Sequence, residues 1–84
     1  MYEIIFDEEV IAELNKLPKE LRERIFNKII NVKENPFHFF ERLTERKEYK
    51  LRVGDYRIIA EIDQSVRKIF VVFIGHRKNV YEKI

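Results

Sequence analysis

The chain has 84 residues, with 17 Lys and Arg against 15 Asp and Glu and a formal net charge of +2. This length predicts a single domain, residues 1–84, with a modest core. The absence of cysteine excludes disulfides and thiolate metal sites, and two histidines alone rarely hold a metal, so we expect no cofactor. A secretory leader and an apolar run of about 20 residues are also absent, which predicts a cytoplasmic protein without membrane contact.

The positive charge is concentrated in the second half of the chain. Residues 1–41 contain six Lys and Arg and nine Asp and Glu, whereas residues 42–84 contain eleven and six. A basic region of this kind is expected on a surface that meets a polyanion such as nucleic acid. The second half is therefore the first place to look for a functional site.

The first half of the chain predicts a strand followed by a helical hairpin. Residues 2–6 are β-prone, and the carboxylate of Asp7 can accept from the free amides at the start of a helix. Apolar residues then recur at helical spacing until Pro18, which ends the first helix and suits the start of the second. The second helix is predicted over about residues 19–34 and stops before Pro36.

The second half alternates with a period of two, which predicts an antiparallel meander. With Gly54-Asp55 as a two-residue turn, the predicted pairs are Val53 with Tyr56, Arg52 with Arg57, Leu51 with Ile58, Lys50 with Ile59, Tyr49 with Ala60, and Glu48 with Glu61. A second loop at residues 63–66 sets Glu61 opposite Lys68 and Arg57 opposite Val72. The strand at residues 67–74 is apolar on both faces and is predicted to lie inside the sheet.

These elements together predict an α+β fold. An N-terminal strand and a two-helix hairpin pack on the antiparallel meander. One face of the predicted first hairpin gathers the charged side chains, namely Glu48, Lys50, Arg52, Arg57 and Glu61. Arg52 and Arg57 lie directly opposite each other there, which destabilises the hairpin unless an anion binds between them. In this register His76 falls on the same face as Arg57, so we predict an anion site at this position.

Two segments resemble the RelE family of bacterial and archaeal toxins. They are Tyr49-Lys50-Leu51-Arg52 with Tyr56-Arg57-Ile58-Ile59, and Gly75-His76-Arg77 with Val80-Tyr81. The resemblance covers essentially the whole chain and implies a fold similar to that of small microbial ribonucleases. It also implies an mRNA interferase, a metal-independent endoribonuclease that cuts mRNA in the ribosomal A site and so inhibits translation. The ribose 2′-hydroxyl attacks the adjacent phosphodiester and leaves a 2′,3′-cyclic phosphate and a 5′-hydroxyl.

The resemblance also assigns roles to particular residues. Lys50 and Arg57 match the cations that hold and neutralise the scissile phosphate, and Arg77 matches an arginine near the leaving 5′-oxygen. Tyr81 matches a tyrosine that orients the substrate or stacks on it, although two fewer residues separate it from the arginine here. Further RNA-binding cations are predicted at Arg52, Lys47 and Lys78.

One position departs from the family pattern. The best-known members carry a second lysine two residues before Lys50, where this chain has Glu48. Some relatives pair a Glu base with a His acid, so Glu48 is a candidate to accept the 2′-hydroxyl proton and His76 to protonate the leaving group. The alternatives are a surface carboxylate that neutralises Lys50 or Lys68, and a polar histidine at a strand end.

A toxin of this kind requires a protein that holds it in check. We expect a heteromeric complex with a RelB-like antitoxin, an acidic partner whose helices or strand cover the basic face, in addition to contacts with the ribosome and mRNA. A ParE-like toxin that inhibits DNA gyrase and a non-catalytic RNA-binding module are the alternative functions. The high content of Lys, Glu and Ile, with a single Gln, further predicts an archaeal or thermophilic source.

Overall fold

The computed structural model describes residues 1–78. Its elements are β1 (Glu3–Phe6), α1 (Glu8–Lys16), α2 (Lys19–Val32), α3 (Pro36–Phe39), β2 (Glu41–Arg42), β3 (Tyr49–Val53), β4 (Tyr56–Asp63) and β5 (Lys68–His76). The strands form one sheet in the order β1-β5-β4-β3-β2. The predicted α+β class is therefore confirmed. No helix within this part of the chain is both long enough and apolar enough to cross a membrane.

The sheet is mixed rather than purely antiparallel. The predicted meander is present as β3, β4 and β5, whose neighbouring strands pair antiparallel. β1 pairs with β5 in parallel, with Glu3 opposite Lys68 and Phe6 opposite Val71. The interior position predicted for the apolar strand is confirmed, since β5 lies between β1 and β4.

Local sequence sets the ends of the helices. Asp7 Oδ1 accepts a hydrogen bond of 3.0 Å from the amide of Glu9 and so caps α1. Leu17 is extended, with φ −81° and ψ 152°, because the following Pro18 disfavours the α conformation. α2 ends at Val32, and Pro36 begins the short helix α3, where its fixed φ suits the first position.

The helices cover one face of the sheet, here called the helix-side face. The buried core is formed by Val10, Leu14, Ile25, Ile29, Val32, Phe40, Leu51, Val53, Ile58, Ala60, Ile69, Val71 and Ile74. Successive strand residues point to opposite faces, so the neighbours of these core residues on β3 and β4 lie on the other face, here called the open face. Lys50, Arg52 and Arg57 therefore belong to the open face.

The predicted register between β4 and β5 is wrong. Arg57 lies opposite Gly75 instead of Val72, and Glu61 lies opposite Phe70 instead of Lys68. The first error is three residues along β5 and the second is two. Because the register shift differs between the two ends of the strand pair, two separate features must cause it.

The first cause is the loop and the second is a bulge. The loop occupies residues 64–67, one residue later than predicted, because Asp63 Oδ1 accepts from both the amide and the hydroxyl of Ser65, at 2.9 and 2.6 Å. A β-bulge then makes Val72 an extra residue, since Ile59 pairs with Phe73 but Ala60 pairs with Val71. The later loop shifts the register by two residues, so each side chain of β5 stays on its predicted face. The bulge shifts the register by one further residue, so the side chains after Val72 move to the opposite face.

Truncation of a core side chain tests the packing of α2 on the sheet. Ile25 is fully buried, so Ile25→Ala should lower the free energy of unfolding by about 2–5 kcal/mol in urea denaturation. Ile11→Ala is the matched control: its side chain is 46% exposed and its truncation should cost less than about 1 kcal/mol. Equal losses for the two variants contradict this description of the core.

Acid unfolding tests the loop between β4 and β5. Hydrogen bonds from Ser65, chiefly from its hydroxyl, lower the pKa of the Asp63 carboxyl. A lowered folded-state pKa contributes stability above the unfolded value, and this is lost as pH falls through the folded value. Asp63→Asn keeps an oxygen acceptor but does not titrate. Its free energy of unfolding should therefore fall less steeply than that of wild type between about pH 5 and pH 2, and identical slopes contradict the assignment.

Candidate functional site

Five of the six predicted pairs of the hairpin of β3 and β4 are confirmed, and the sixth, Glu48 with Glu61, falls outside the ladder because β3 begins at Tyr49. Val53 pairs with Tyr56, Arg52 with Arg57, Leu51 with Ile58, Lys50 with Ile59, and Tyr49 with Ala60. Burial of Leu51 and Ile58 on the helix-side face places Lys50, Arg52 and Arg57 together on the open face. The opposition of Arg52 and Arg57 is therefore a feature of the folded chain.

The turn that joins these strands depends on Gly54. Of the two turn residues, Gly54 has a positive φ, 58°, and Asp55 does not, which is the pattern of a type II′ turn. A side chain at Gly54 is strained at this φ. A Cβ there also lies 3.3 Å from both terminal guanidinium nitrogens of Arg24, because that α2 side chain packs over the turn.

Two further arginines are anchored to the same turn. Arg57 Nη1 donates to the carbonyl oxygens of Gly54 and Tyr56, each at 3.0 Å. The backbone amide of Arg77 donates to the Asp55 carbonyl at 2.7 Å, and Arg77 Nε lies 3.7 Å from Asp55 Oδ1. The end of β5 is thereby tied to the hairpin.

These contacts, together with the register that sets Arg52 opposite Arg57, define an arginine cluster around the turn, made of Arg24, Arg52, Arg57 and Arg77. Three of its members belong to the sequence-based candidates, and the structure brings them together. Sequence reasoning misses Arg24, because a single arginine on the polar side of an amphipathic helix carries no signal of what faces it. A guanidinium stays charged at any physiological pH, so the cluster can bind an oxyanion without proton transfer.

The remaining predicted cations, Lys50, Lys47 and Lys78, are not part of the arginine cluster. Lys50 Nζ is 3.8 Å from Glu41 Oε2, further along the open face. Lys47 Nζ is 3.0 Å from Glu61 Oε1, and this hydrogen-bonded carboxylate raises the pKa of the Lys47 ammonium. Lys78 is exposed directly after Arg77. Tyr81, the predicted stacking residue, lies outside the described residues.

The predicted pairing of Glu48 with His76 on one face is wrong. His76 lies opposite Tyr56, with ring centroids 5.7 Å apart, and so belongs to the helix-side face. The bulge in β5 is the cause, because it exchanges the faces after Val72. Glu48 precedes β3 at the other end of the hairpin, five residues before Val53, the partner of Tyr56, which is about 16 Å along the strand at roughly 3.3 Å per residue. The two side chains cannot serve one proton-transfer site in this arrangement.

The surroundings of Glu48 fit the surface-carboxylate alternative. Its Oε2 lies 3.4 Å from Arg46 Nε, so Arg46 neutralises this carboxylate. A hydrogen bond from its own backbone amide, followed by that from Arg46, lowers the pKa of the Glu48 carboxyl. A carboxylate with a lowered pKa is a weaker general base.

The surroundings of His76 leave one ring nitrogen available. The backbone amide of Lys78 donates to His76 Nδ1 at 3.2 Å. The neutral ring therefore carries its hydrogen on Nε2, which is the nitrogen that can contact a substrate. His76 is half-buried and directly precedes Arg77 in the chain.

Known proteins of similar sequence are toxins. The family model described as "ParE toxin of type II toxin-antitoxin system, parDE" matches residues 4–81. The chain is 28% identical over 80 residues to the mRNA interferase toxin RelE of Escherichia coli, which covers 92% of this chain and 84% of that protein. The mRNA interferase RelE of Shigella flexneri matches to the same extent.

Solved structures of similar fold come from bacteria and archaea, so the archaeal source stays a prediction. The intact E. coli RelBE toxin-antitoxin complex matches with a TM-score of 0.78 and 26% identity, covering 90% of this chain and 96% of that chain. The isolated E. coli RelE toxin has a TM-score of 0.75 and 27% identity, covering 99% and 94%.

An archaeal RelE-RelB complex from Pyrococcus horikoshii OT3 shares the fold as well, with a TM-score of 0.76, 23% identity and coverage of 90% and 94%. The sequence match extends over nearly all of the chain, and the fold agrees with it. The chain therefore belongs to the RelE/ParE family of toxins from type II toxin-antitoxin systems.

Proposed function

We propose that this chain is a ribosome-dependent endoribonuclease that cuts mRNA in the A site and so inhibits translation. The observation that carries the proposal is the arginine cluster, in which Arg57 and Arg77 are held at one turn beside Arg52. A phosphodiester is the anion that such a cluster suits, since guanidinium groups bind phosphate with two parallel hydrogen bonds. The E. coli relative at 28% identity is named an mRNA interferase.

In the proposed reaction the cations stabilise charge that develops at phosphorus. The ribose 2′-hydroxyl gives its proton to water and forms a new P–O bond, the bond to the 5′-oxygen breaks, and the 5′-oxygen takes a proton from water, which leaves a 2′,3′-cyclic phosphate and a 5′-hydroxyl. Arg57 is preset by its two hydrogen bonds to the turn, so it can neutralise the phosphorane without rearranging. Lys50 acts on the same face, and Arg77 acts at the leaving 5′-oxygen. No metal is required.

We propose that water carries the protons, in place of the predicted pair of Glu48 and His76. Glu48 lies at the other end of the hairpin from the arginine cluster, so we do not propose it as the base. We retain His76 as a candidate for substrate contact through Nε2, because its Nδ1 accepts from the Lys78 amide and it directly precedes Arg77 in the chain. Arg52, Lys47 and Lys78 are proposed as RNA-binding cations, and Tyr81 keeps its predicted role in orienting the substrate.

We further propose that a RelB-like antitoxin holds the chain in a heteromeric complex. Relatives in the solved structures are RelE-RelB complexes from bacteria and archaea. An acidic partner complements the arginine cluster. An apolar groove between α1 and α2 offers a second surface, with Ile11 46% exposed and Phe26 45% exposed.

A ParE-like inhibitor of DNA gyrase is the second candidate function. The observation in its favour is that the matching family model describes ParE toxins. Against it, relatives of that class tend to lack the full set of cations, whereas this chain keeps Lys50, Arg57 and Arg77.

A single pair of assays separates these functions. In vitro translation followed by primer extension should show cuts in phase with codons when ribosomes are present, and none on the naked message. Intact message together with loss of gyrase supercoiling supports the ParE-like function. Intact message together with active gyrase supports the third function, a non-catalytic RNA-binding module.

Removal of one anchored arginine tests the assigned chemistry. Arg57→Ala should lower the rate of message cleavage on ribosomes by about 100- to 1,000-fold, because a preorganised group that neutralises the transition state is lost. Arg67→Asn is the control: it removes a cation in the loop at the other end of β4, and Asn tolerates the positive φ of 54° there. Its rate should stay near that of wild type. Equal rates for both variants overturn the role of Arg57.

A further inference from the structure

The geometry of Arg24 sets it apart from the other charged residues of α2. Its two terminal nitrogens lie against Gly54, 3.3 Å from the position a Cβ would take. Arg57 donates to the carbonyl of that same glycine, so two guanidinium groups from different elements contact one residue. Arg24 is exposed, and among residues 1–78 no ion pair involves it.

The charges around the turn are poorly balanced. The arginine cluster brings four guanidinium groups to a turn whose own carboxylate is Asp55. That carboxylate lies 3.7 Å from Arg77 Nε, with both side chains more than half exposed, so the ion pair is weak. Like charges held this close favour the binding of anions.

The four groups reach the turn from two sides of the sheet. Arg52 and Arg57 extend from the open face, with Arg77 beside them at the end of β5. Arg24 reaches the turn from α2, which packs on the helix-side face. Approach from two sides suits two neighbouring phosphates of an RNA strand that crosses the turn.

We propose that Arg24 forms a second phosphate subsite, which binds the phosphodiester next to the scissile one in the same single-stranded RNA. This inference rests on the RNA binding of the proposed function but not on cleavage. The contact is to the backbone, so it strengthens binding equally for all base sequences and fixes how the strand lies across the turn. Arg24 is thus a positioning residue, and the scissile phosphate belongs to Arg57 and Arg77.

Two short RNAs that differ by one phosphate test this subsite. A dinucleotide has one phosphodiester and a trinucleotide has two, and a 2′-deoxyribose at the attacking position prevents cleavage. NMR titration at several salt concentrations gives the slope of log K against log salt. For the trinucleotide, Arg24→Ala should reduce this slope by about 0.7, the value for one phosphate contact in single strands. For the dinucleotide the slope and affinity should match those of wild type.

Two further variants control for charge and packing. Lys19→Ala removes one positive charge from the exposed start of the same helix, and its slope should match that of wild type on both RNAs. Arg24→Lys keeps the charge and should retain the wild-type slope. A wild-type slope for Arg24→Ala on the trinucleotide overturns the subsite, and so does an equal loss on both RNAs. Absence of codon-phased cuts refutes the proposed cleavage alone, because these titrations do not depend on it.

Discussion

The β3–β4 hairpin can bury its apolar side chains only in a register that places two arginines opposite each other. Leu51 and Ile58 face each other in the buried core, and this fixes a register in which Arg52 and Arg57 also face each other on the open face. A slip of one residue would expose the apolar side chains. The core thus maintains a repulsion between like charges that an anion relieves. The functional site follows from this constraint.

The turn collects cations from distant parts of the chain. Gly54 supplies the positive φ of the tight turn and the bare surface on which the Arg24 guanidinium lies. The carbonyl oxygen of Asp55 accepts from the backbone amide of Arg77. This bond connects the end of β5 to a hairpin more than 20 residues earlier in the sequence. Preorganisation of this kind lets cations act on developing charge without moving. The site therefore depends on backbone geometry more than on any titrating group.

Features set by local patterns could be predicted from the sequence. The Gly-Asp turn and strict alternation gave the hairpin pairs, and Pro18 and Asp7 gave the helix ends. The same patterns cannot reveal the bulge at Val72, because both faces of β5 are apolar there. That single extra residue moves His76 to the helix-side face and so separates it from Glu48. The parallel pairing of β1 and the contact of Arg24 with Gly54 are likewise tertiary contacts, which the neighbouring residues in the sequence do not predict.

The central claim is that the arginine cluster holds the RNA backbone. Arginine side chains report this directly, because each Nε–H gives its own NMR signal. On titration with an uncleavable single-stranded RNA, the Nε–H signals of Arg57 and Arg77 should shift together and saturate at one affinity, while those of Arg42 and Arg67, outside the cluster, stay in place. Saturating shifts confined to Arg42 or Arg67, with Arg57 and Arg77 unmoved, contradict the account.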